Sequence, residues 1–269
     1  MIIIGEKING AIPKTAEAIK NRDEAYIVGL VKAQEENGAD YLDVCAGTSP
    51  EEEYDALCWL LDIVQKHATK PLCIDSPDPI MLIRIFPQLK KPGLLNSISM
   101  EGEKCQLLLP LLRDNPEWQV VALACDNGGI AASADDKVRI AFDLVEKAAA
   151  YGVGPERIHI DPLVLALSAV NDSAVQFCEA IRRIKEKYPT VNITAALSNV
   201  SFAMPERKLV NRSFLTMSMM SGLDSVIADP ANKDIIGTIY ATDALLGRDR
   251  FCRQYNKAFR EGKLATAKK

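Results

Sequence analysis

The stretch KVRIAFDLVEKAAAYGVGPERIHIDPL, residues 137–163, contains one complete helix-to-strand unit. Its first half repeats apolar residues three and four positions apart, as on the buried face of a helix: Val138, Ile140, Ala141, Leu144 and Val145. Gly152 follows, and glycine adopts the left-handed conformation of a helix C-terminus without steric cost. The run 158–163 is apolar without regular alternation, which is typical of a parallel strand buried on both faces. The stretch therefore predicts a helix, a stop and a parallel strand.

The same unit recurs along the whole chain of 269 residues. Eight apolar runs lie at 2–5, 41–46, 71–76, 94–99, 120–125, 158–163, 193–200 and 225–229. Helical periodicity appears between them, at 24–37, 55–66, 137–150, 173–187 and 208–222. Eight strand–helix units over about 250 residues predict an α/β protein with a single-domain (β/α)8 TIM barrel. The alternative, a doubly wound open sheet, usually carries G-x-G-x-x-G after its first strand, where this chain has GEKING.

Domain boundaries follow from the same pattern. We assign residues 1–247 to the barrel and 248–269 to a C-terminal helix and tail, because the last segment is basic and polar. Within the barrel, Asp135 and Ser173 are the predicted N-caps of two helices.

Composition excludes several classes of protein. Hydrophobic residues make up 48% and charged residues 25%, which is typical of a globular domain. The net charge of −4 offers no basic footprint for nucleic acid or an anionic membrane surface. No apolar run approaches the ~20 residues that span a bilayer, and the N-terminus lacks the features of a signal peptide. Seven widely spaced cysteines predict reduced thiols, so we expect a cytoplasmic protein without nucleic-acid or membrane partners.

Polar residues close nearly every predicted strand. They are Glu6, Asp43, Asp75, Asn96, Asp126, Asp161, Ser198, Asn199 and Asp229. The C-terminal ends of the strands form the active site of a TIM barrel. A single Asp or Asn there often caps the next helix, and we favour that interpretation for Asp126 and Asp229. A ring of such residues on hydrophobic strands needs polar partners, because an unpaired buried polar group is costly, and a ligand would supply them.

The residue types in this ring indicate which ligand. A carboxylate accepts two parallel N–H bonds, which suits the 2-amino-4-oxopyrimidine edge of a pterin or guanine, and asparagine can both donate and accept. A Mg²⁺ or Mn²⁺ site is the alternative, but the ring mixes amides with carboxylates and has no tight D-x-D cluster. With His67 and His159 as the only histidines, the chain has no His-rich metal site, so we expect no protein-bound metal.

These residues make the chain resemble the methyltetrahydrofolate:corrinoid-protein methyltransferases, a branch of the pterin-binding TIM-barrel superfamily. The resemblance covers essentially the whole chain. It is carried by IIGEKING (3–10), CIDS (73–76), LLNS (94–97), IDPL (160–163), LSNVSF (197–202), LVNRSFL (209–215) and IAD (227–229). It implies transfer of a methyl group between N5 of methyltetrahydrofolate and the cobalt of a corrinoid.

The resemblance also implies roles for the ring residues. Asp75, Asn96 and Asp161 match the residues that hold the pterin ring. Asn199 matches the asparagine that reaches N5 of the folate, where it would stabilise charge, and a water linked to Asp75 would relay a proton. Asn199 and Asp75 are therefore the candidate catalytic residues.

Further residues are assigned to the site by the same comparison. Arg207 matches an arginine on the loop after strand seven, while Ser198, Gly47 and Glu6 lie beside the folate by position. Two more are expected to face the corrinoid. They are Phe202, which replaces a glutamine of the acetogenic enzyme, and Met204.

The implied substrates are tetrahydrofolate and 5-methyltetrahydrofolate, and the implied partner is a corrinoid protein that carries the cobalamin. The family is commonly a homodimer, which we expect here. The direction of transfer stays open, and related proteins of demethylating bacteria move the methyl group to tetrahydrofolate. A dihydropteroate synthase-like enzyme, a non-catalytic folate- or corrinoid-protein-binding barrel, and a metal-dependent lyase or hydrolase are the alternatives.

Overall fold

Eight parallel strands form the wall of a nearly closed barrel in the computed structural model, which describes residues 1–265. In chain order the strands are β1 Ile2–Asn9, β2 Tyr41–Cys45, β3 Leu72–Asp75, β4 Leu94–Met100, β5 Gln119–Asp126, β6 Gly129–Ile130, β7 Ile158–Asp161, β8 Asn192–Ile193 and β9 Ser225–Ala228. The spatial order is β8-β7-β5-β4-β3-β2-β1-β9, and β6 is a short antiparallel partner of β5. The predicted single-domain TIM barrel is confirmed.

Helices surround the barrel and follow the strands, and five of them lie where the periodicity predicts helices. They are α1 Pro13–Asn21, α2 Glu24–Glu36, α3 Pro50–His67, α4 Pro79–Ile85, α5 Lys104–Asp114, α6 Ala134–Ala150, α7 Ser173–Lys187, α8 Arg207–Ser221, α9 Lys233–Leu245 and α10 Arg253–Arg260. Gly152 follows α6 in the left-handed conformation, with a φ of 79°, as predicted for the helix stop. Part of the predicted tail, residues 266–269, lies outside the described residues.

Both predicted N-caps are displaced. Ser133, rather than Asp135, caps α6 by accepting a hydrogen bond from the Asp136 amide at 3.1 Å. At α7 the N-cap residue is Asp172, and the Ser173 hydroxyl accepts from the Leu165 amide instead. In each case the chain offers more than one polar residue near the helix start, and backbone geometry decides between them.

The seventh predicted strand, 193–200, is wrong in length. Only Asn192–Ile193 pair as a strand, and Leu197–Ser201 form a 3-10 turn. The barrel still closes here, because the Ile227 amide donates to the Ala195 carbonyl at 2.9 Å and Ala196 forms a parallel bridge with Ile227. The apolar residues after Ile193 are buried for packing rather than for strand pairing.

Two apolar layers hold the barrel together. A small core inside the barrel contains Ile4, Cys73, Leu94 and Val121, and a much larger core lies between the strands and the helices. Strand residues therefore alternate between the interior and the helix layer. On β3, for example, Cys73 faces inward and Ile74 packs in the outer core. Within residues 1–265, no helix is both long and apolar enough to cross a membrane.

Candidate active site

An open cavity of about 630 Å³ lies at the C-terminal ends of the strands. The polar residues that line it are Glu6, Asn9, Asp43, Asp75, Asn96, Asp161, Ser198, Asn199 and Arg207. Its apolar wall includes Val121, Leu123 and Ile227, which also line the barrel interior. The structure thus brings together around one cavity seven of the site residues predicted from the sequence.

Strand alternation explains why the carboxylates point into this cavity. Cys73 occupies the barrel interior, so Asp75 two residues later faces the same way. Leu94 and Asn96 repeat this relation on β4. Strand register then aligns Asp75 with Asn96 across the β3–β4 pair. On β3 and β4 a polar inward residue therefore follows an apolar one, whereas the inward Val121 and Leu123 of β5 keep that part of the wall apolar.

Burial makes these carboxyl groups unusually basic. Desolvation raises the pKa of Asp75 to about 6 and that of Asp161 to about 6. It also raises the pKa of Asp43 well above its ordinary value, with the nearby charge of Asp75 adding to the effect. The pKa of Glu6 is raised for the same reason, and Asp229 reinforces the shift while Lys7 opposes it. At neutral pH the cavity favours ligands that donate N–H bonds to carboxylates.

Asp161 is held by the turn that follows β7. Its Oδ1 accepts a hydrogen bond from the Leu163 amide at 2.8 Å, and the Ala196 amide also lowers the pKa of the carboxyl. Only 4% of the residue is exposed. These bonds fix the carboxylate before any ligand arrives.

Ser198 and Asn199 reach the cavity from the 3-10 turn Leu197–Ser201. Both are exposed, unlike the residues on the strands. Arg207, at the start of α8, holds the turn by donating from Nη2 to the Ser198 carbonyl at 2.7 Å and from Nε to Ser201 Oγ at 3.1 Å. Arg207 therefore lines the cavity and also supports the segment that carries Asn199.

Three predicted site residues do not line this cavity. Gly47 lies at a tight crossing of two loops, where a Cβ atom would meet the Gly10 carbonyl carbon at 2.6 Å, and it lines a neighbouring cavity of about 600 Å³. Phe202 directly follows the Asn199 turn with 66% of its surface exposed. Met204 lies two residues further, half-buried. The last two lie on the segment that joins the Leu197–Ser201 turn to α8.

The sequence placed Asp43 among the polar strand residues but not among the expected folate contacts, although it lines the cavity with 2% exposure. Its Oδ1 is buried without a hydrogen-bond partner. Strand alternation could have found it, because Asp43 lies two residues after the inward-facing Tyr41. Across residues 1–265, no group of three His, Cys, Asp or Glu side chains is arranged to hold a metal ion.

Comparison with known proteins decides the family. Residues 8–229 match the family described as "Pterin binding enzyme". The chain belongs to this family of pterin-binding enzymes. It is also 54% identical, over 98% of both chains, to the methylcorrinoid:tetrahydrofolate methyltransferase of Eubacterium limosum. Membership of the methyltetrahydrofolate:corrinoid methyltransferase branch, predicted from the sequence motifs, is confirmed.

Two more distant similarities were also found. A methionine synthase of Mycobacterium tuberculosis is 28% identical over 84% of this chain, which corresponds to 20% of that much longer protein. A dihydropteroate synthase of Xanthomonas albilineans, solved with 4-aminobenzoic acid, superposes with a TM-score of 0.67 and covers 93% of both chains. At 16% identity the latter likeness shows the fold alone.

Proposed function

We propose that this protein transfers a methyl group between N5 of tetrahydrofolate and the cobalt of a corrinoid carried by a partner protein. The observation that carries the proposal is the single cavity that gathers Asp75, Asn96, Asp161 and Asn199. The 54% identity to the methylcorrinoid:tetrahydrofolate methyltransferase supports the choice among pterin chemistries.

Asp75, Asn96 and Asp161 bind the pterin in this proposal. Ionised carboxylates accept N–H bonds from the aminopyrimidine edge, and the amide of Asn96 pairs with the adjacent donors and acceptors. Register pairs Asp75 with Asn96, while Asp161 lies on β7, so the groups approach the ring from different sides of the barrel. Such fixed groups hold the ring at one depth and expose its N5 side.

Asn199 acts at the reacting atom. For transfer to cobalt, the C–N5 bond breaks with its electron pair left on N5, and Co(I) supplies the pair for the new Co–C bond. A proton on N5 makes the leaving group a neutral amine instead of a strongly basic amide anion. Proton transfer of this kind contributes about 10²–10⁴-fold to a rate. We assign Asn199 to hydrogen bonding at N5, and a water linked to Asp75 to the relay of the proton.

The reverse transfer uses the same groups. The N5 lone pair forms the new C–N bond, cobalt recovers the electron pair of the Co–C bond, and the N5 proton leaves through the same relay. We propose that this direction, toward tetrahydrofolate in a demethylation pathway, is the physiological one. Support comes from the relative's name, which places the methylcorrinoid first.

The corrinoid protein approaches the open side of the cavity. Phe202 and Met204 lie on the rim beside the Asn199 turn, and the exposed ring of Phe202 offers a flat apolar surface to a corrin. We therefore keep both residues as the proposed corrinoid-facing contacts. The seven cysteines are free thiols, which supports a cytoplasmic location.

A homodimer is the proposed assembly. Large apolar side chains are exposed on neighbouring late helices: Leu209, Met217, Met220, Leu245 and Phe259. A groove of about 400 Å³ runs among α8, α9 and α10. Sedimentation equilibrium tests the proposal, and a strictly monomeric protein would refute it.

The experiment that tests the function is anaerobic spectroscopy of Co(I) cobalamin mixed with the protein and 5-methyltetrahydrofolate. We expect loss of the Co(I) band and growth of methylcobalamin, and the converse with methylcobalamin and tetrahydrofolate. Activity that survives EDTA excludes the metal-dependent alternative. Turnover of pterin pyrophosphate with 4-aminobenzoate would favour dihydropteroate synthase chemistry instead. Folate binding without transfer, even to a corrinoid protein, would indicate a non-catalytic barrel.

A further inference from the structure

Lys137, in the first turn of α6, is a completely buried lysine. Its Nζ donates to three backbone carbonyls, those of Ala131 at 2.6 Å, Pro162 at 2.9 Å and Leu163 at 2.5 Å. An ammonium group has three donors, so these bonds use all of them. The side chain therefore ties the segment after β6 to the turn after β7.

The turn that Lys137 holds is the one that carries Asp161. The Leu163 amide donates to Asp161 Oδ1, while the Leu163 carbonyl accepts from Lys137. Leu163 adopts a φ of 57°, a left-handed conformation that a leucine rarely takes. Such a conformation persists only where the surroundings determine it. The Leu163 amide donates to Asp161 and the Leu163 carbonyl accepts from Lys137, and these two bonds hold the conformation.

The charge of Lys137 also acts on Asp161. Burial raises the pKa of the Asp161 carboxyl, and the Lys137 ammonium lowers it again. Burial in turn lowers the pKa of Lys137 to about 8, so the lysine is a cation at neutral pH. The two groups thus favour each other's charged form in a setting where each alone would tend toward neutrality.

Other charged groups face the same cavity. Glu6 on β1, Asp43 on β2 and Asp75 on β3 contribute negative charge, and Arg207 of α8 contributes positive charge. Arg207 is engaged with the Ser198 carbonyl and Ser201. Among these groups Lys137 is the cation that acts on Asp161 from within the barrel wall.

We infer that Lys137 is a positioning residue for the folate site, which holds the Asp161 turn in shape and keeps its carboxylate ionised to accept the N–H donors of the pterin. This assignment rests on the proposed function and deepens it. Lys137 does not line the cavity, so it acts on the ligand through Asp161.

The test measures the affinity for 5-methyltetrahydrofolate by calorimetry as a function of pH. In Lys137→Met the carboxyl loses its cation, so the pH below which binding is lost should rise by about one unit. At pH 6 the ionised fraction of Asp161 should fall from about one half to about one tenth, so the Kd should rise about fivefold. The control is Lys185→Met, which removes a lysine bound to the Val191 carbonyl and Asp224 at the opposite end of the barrel. It should leave the profile unchanged.

A double-mutant cycle separates this role from a general loss of structure. In the Asp161→Asn background, Lys137→Met should change the Kd by less than about threefold, because the group it acts through is gone. Circular dichroism and urea unfolding verify that each variant is folded. If Lys137→Met does not fold, Lys137→Gln keeps an N–H donor without the charge and should show the same pH shift.

The outcomes are distinct. Wild-type protein that fails to bind 5-methyltetrahydrofolate overturns the proposed function. Wild-type binding together with an unshifted profile in the folded Lys137 variants overturns this assignment alone. Equal losses with and without Asp161 also overturn it, since Lys137 would then act only on general stability.

Discussion

The two sides of the cavity are built differently. What we call the strand side comprises Asp43, Asp75, Asn96 and Asp161, which lie around the barrel mouth on strands whose hydrogen-bonded neighbours fix their positions. On the other side Ser198 and Asn199 are exposed on a 3-10 turn, held by Arg207. A rigid, buried wall suits recognition of a flat ring. An exposed turn suits a reaction in which a second protein must reach the methyl group.

The largest effect is expected from a substitution that alters only the exposed turn, which carries Asn199. Asn199→Ala should lower the methyl-transfer rate at saturating folate by about 10²-fold, because the hydrogen bond at N5 is needed in the transition state. The Kd for folate should change by less than about threefold. Stopped-flow spectroscopy of cobalt gives the rate and calorimetry the Kd. Asn127→Ala is the matched control, since Asn127 binds the Gly102 amide on the same rim without lining the cavity. A proportional loss of affinity with an unchanged rate would make Asn199 a binding group only.

Substitution of a carboxylate on the strand side should weaken folate binding. Asp161→Asn, or Asp75→Asn, should weaken folate binding by more than about tenfold, since an amide replaces an anionic acceptor of N–H bonds. Asp126→Asn serves as the control, because Asp126 ends β5 on the same rim but pairs with Arg139 outside the cavity. Unchanged binding in both site variants would place the pterin elsewhere.

Loss of Arg207, which holds the turn, should have an intermediate effect on the transfer rate. Arg207→Met removes both bonds to the 197–201 segment and should lower the transfer rate by about tenfold, as expected for a misplaced reacting group. Its effect on the folate Kd should be smaller than that of Asp161→Asn. A variant that loses affinity without losing rate would show that Arg207 contacts the folate instead of positioning Asn199.

The pH dependence of methyl transfer should reveal two separate effects, one on the transfer rate and one on folate affinity. The rate of transfer to Co(I) should rise as pH falls, because a proton on N5 improves the leaving group. Folate affinity should fall as pH drops below about 6, since Asp75 and Asp161, each with a pKa of about 6, become protonated and stop accepting N–H bonds. Together they predict a bell-shaped kcat/KM. A flat profile would argue against proton assistance.

The smallest effect is expected from substitution of Phe202, the proposed contact with the corrinoid. Phe202→Gln restores the residue type of the acetogenic enzyme and should change the rate with free cobalamin by less than about threefold, because the side chain lies outside the cavity. With the cognate corrinoid protein the KM should rise by a larger factor, since the exposed ring is removed from the docking side. Equal behaviour with both methyl carriers would remove Phe202 from the proposed contact.

The comparison also shows what could be predicted from the sequence. The strand side was accessible, because apolar runs ending in Asp75, Asn96 or Asp161 fix both the element and its inward position. The turn side was not, because 193–200 has the composition of a strand, whereas its pairing depends on distant Ile227 and Asp224. The polar ends of this segment, Ser198 and Asn199, were assigned to the cavity even though its secondary structure was wrong.

Two buried groups show the limits of local patterns. Asp43 follows the alternation of β2 and could have been placed by it. Lys137 could not, because it occupies an ordinary position near the start of an amphipathic helix. Its burial depends on carbonyls six and more residues away, at Ala131, Pro162 and Leu163, which meet only in the folded barrel.

The central claim is that the strands bind the pterin and the turn assists the transfer. Single-turnover methyl transfer to Co(I) cobalamin, measured anaerobically with increasing 5-methyltetrahydrofolate, tests it in one series of wild type, Asp161→Asn and Asn199→Ala. The account predicts that saturating folate restores the rate of Asp161→Asn to near the wild-type value, while Asn199→Ala stays slow at every concentration. Recovery of Asn199→Ala at high folate, with Asp161→Asn remaining slow, would contradict the division of roles.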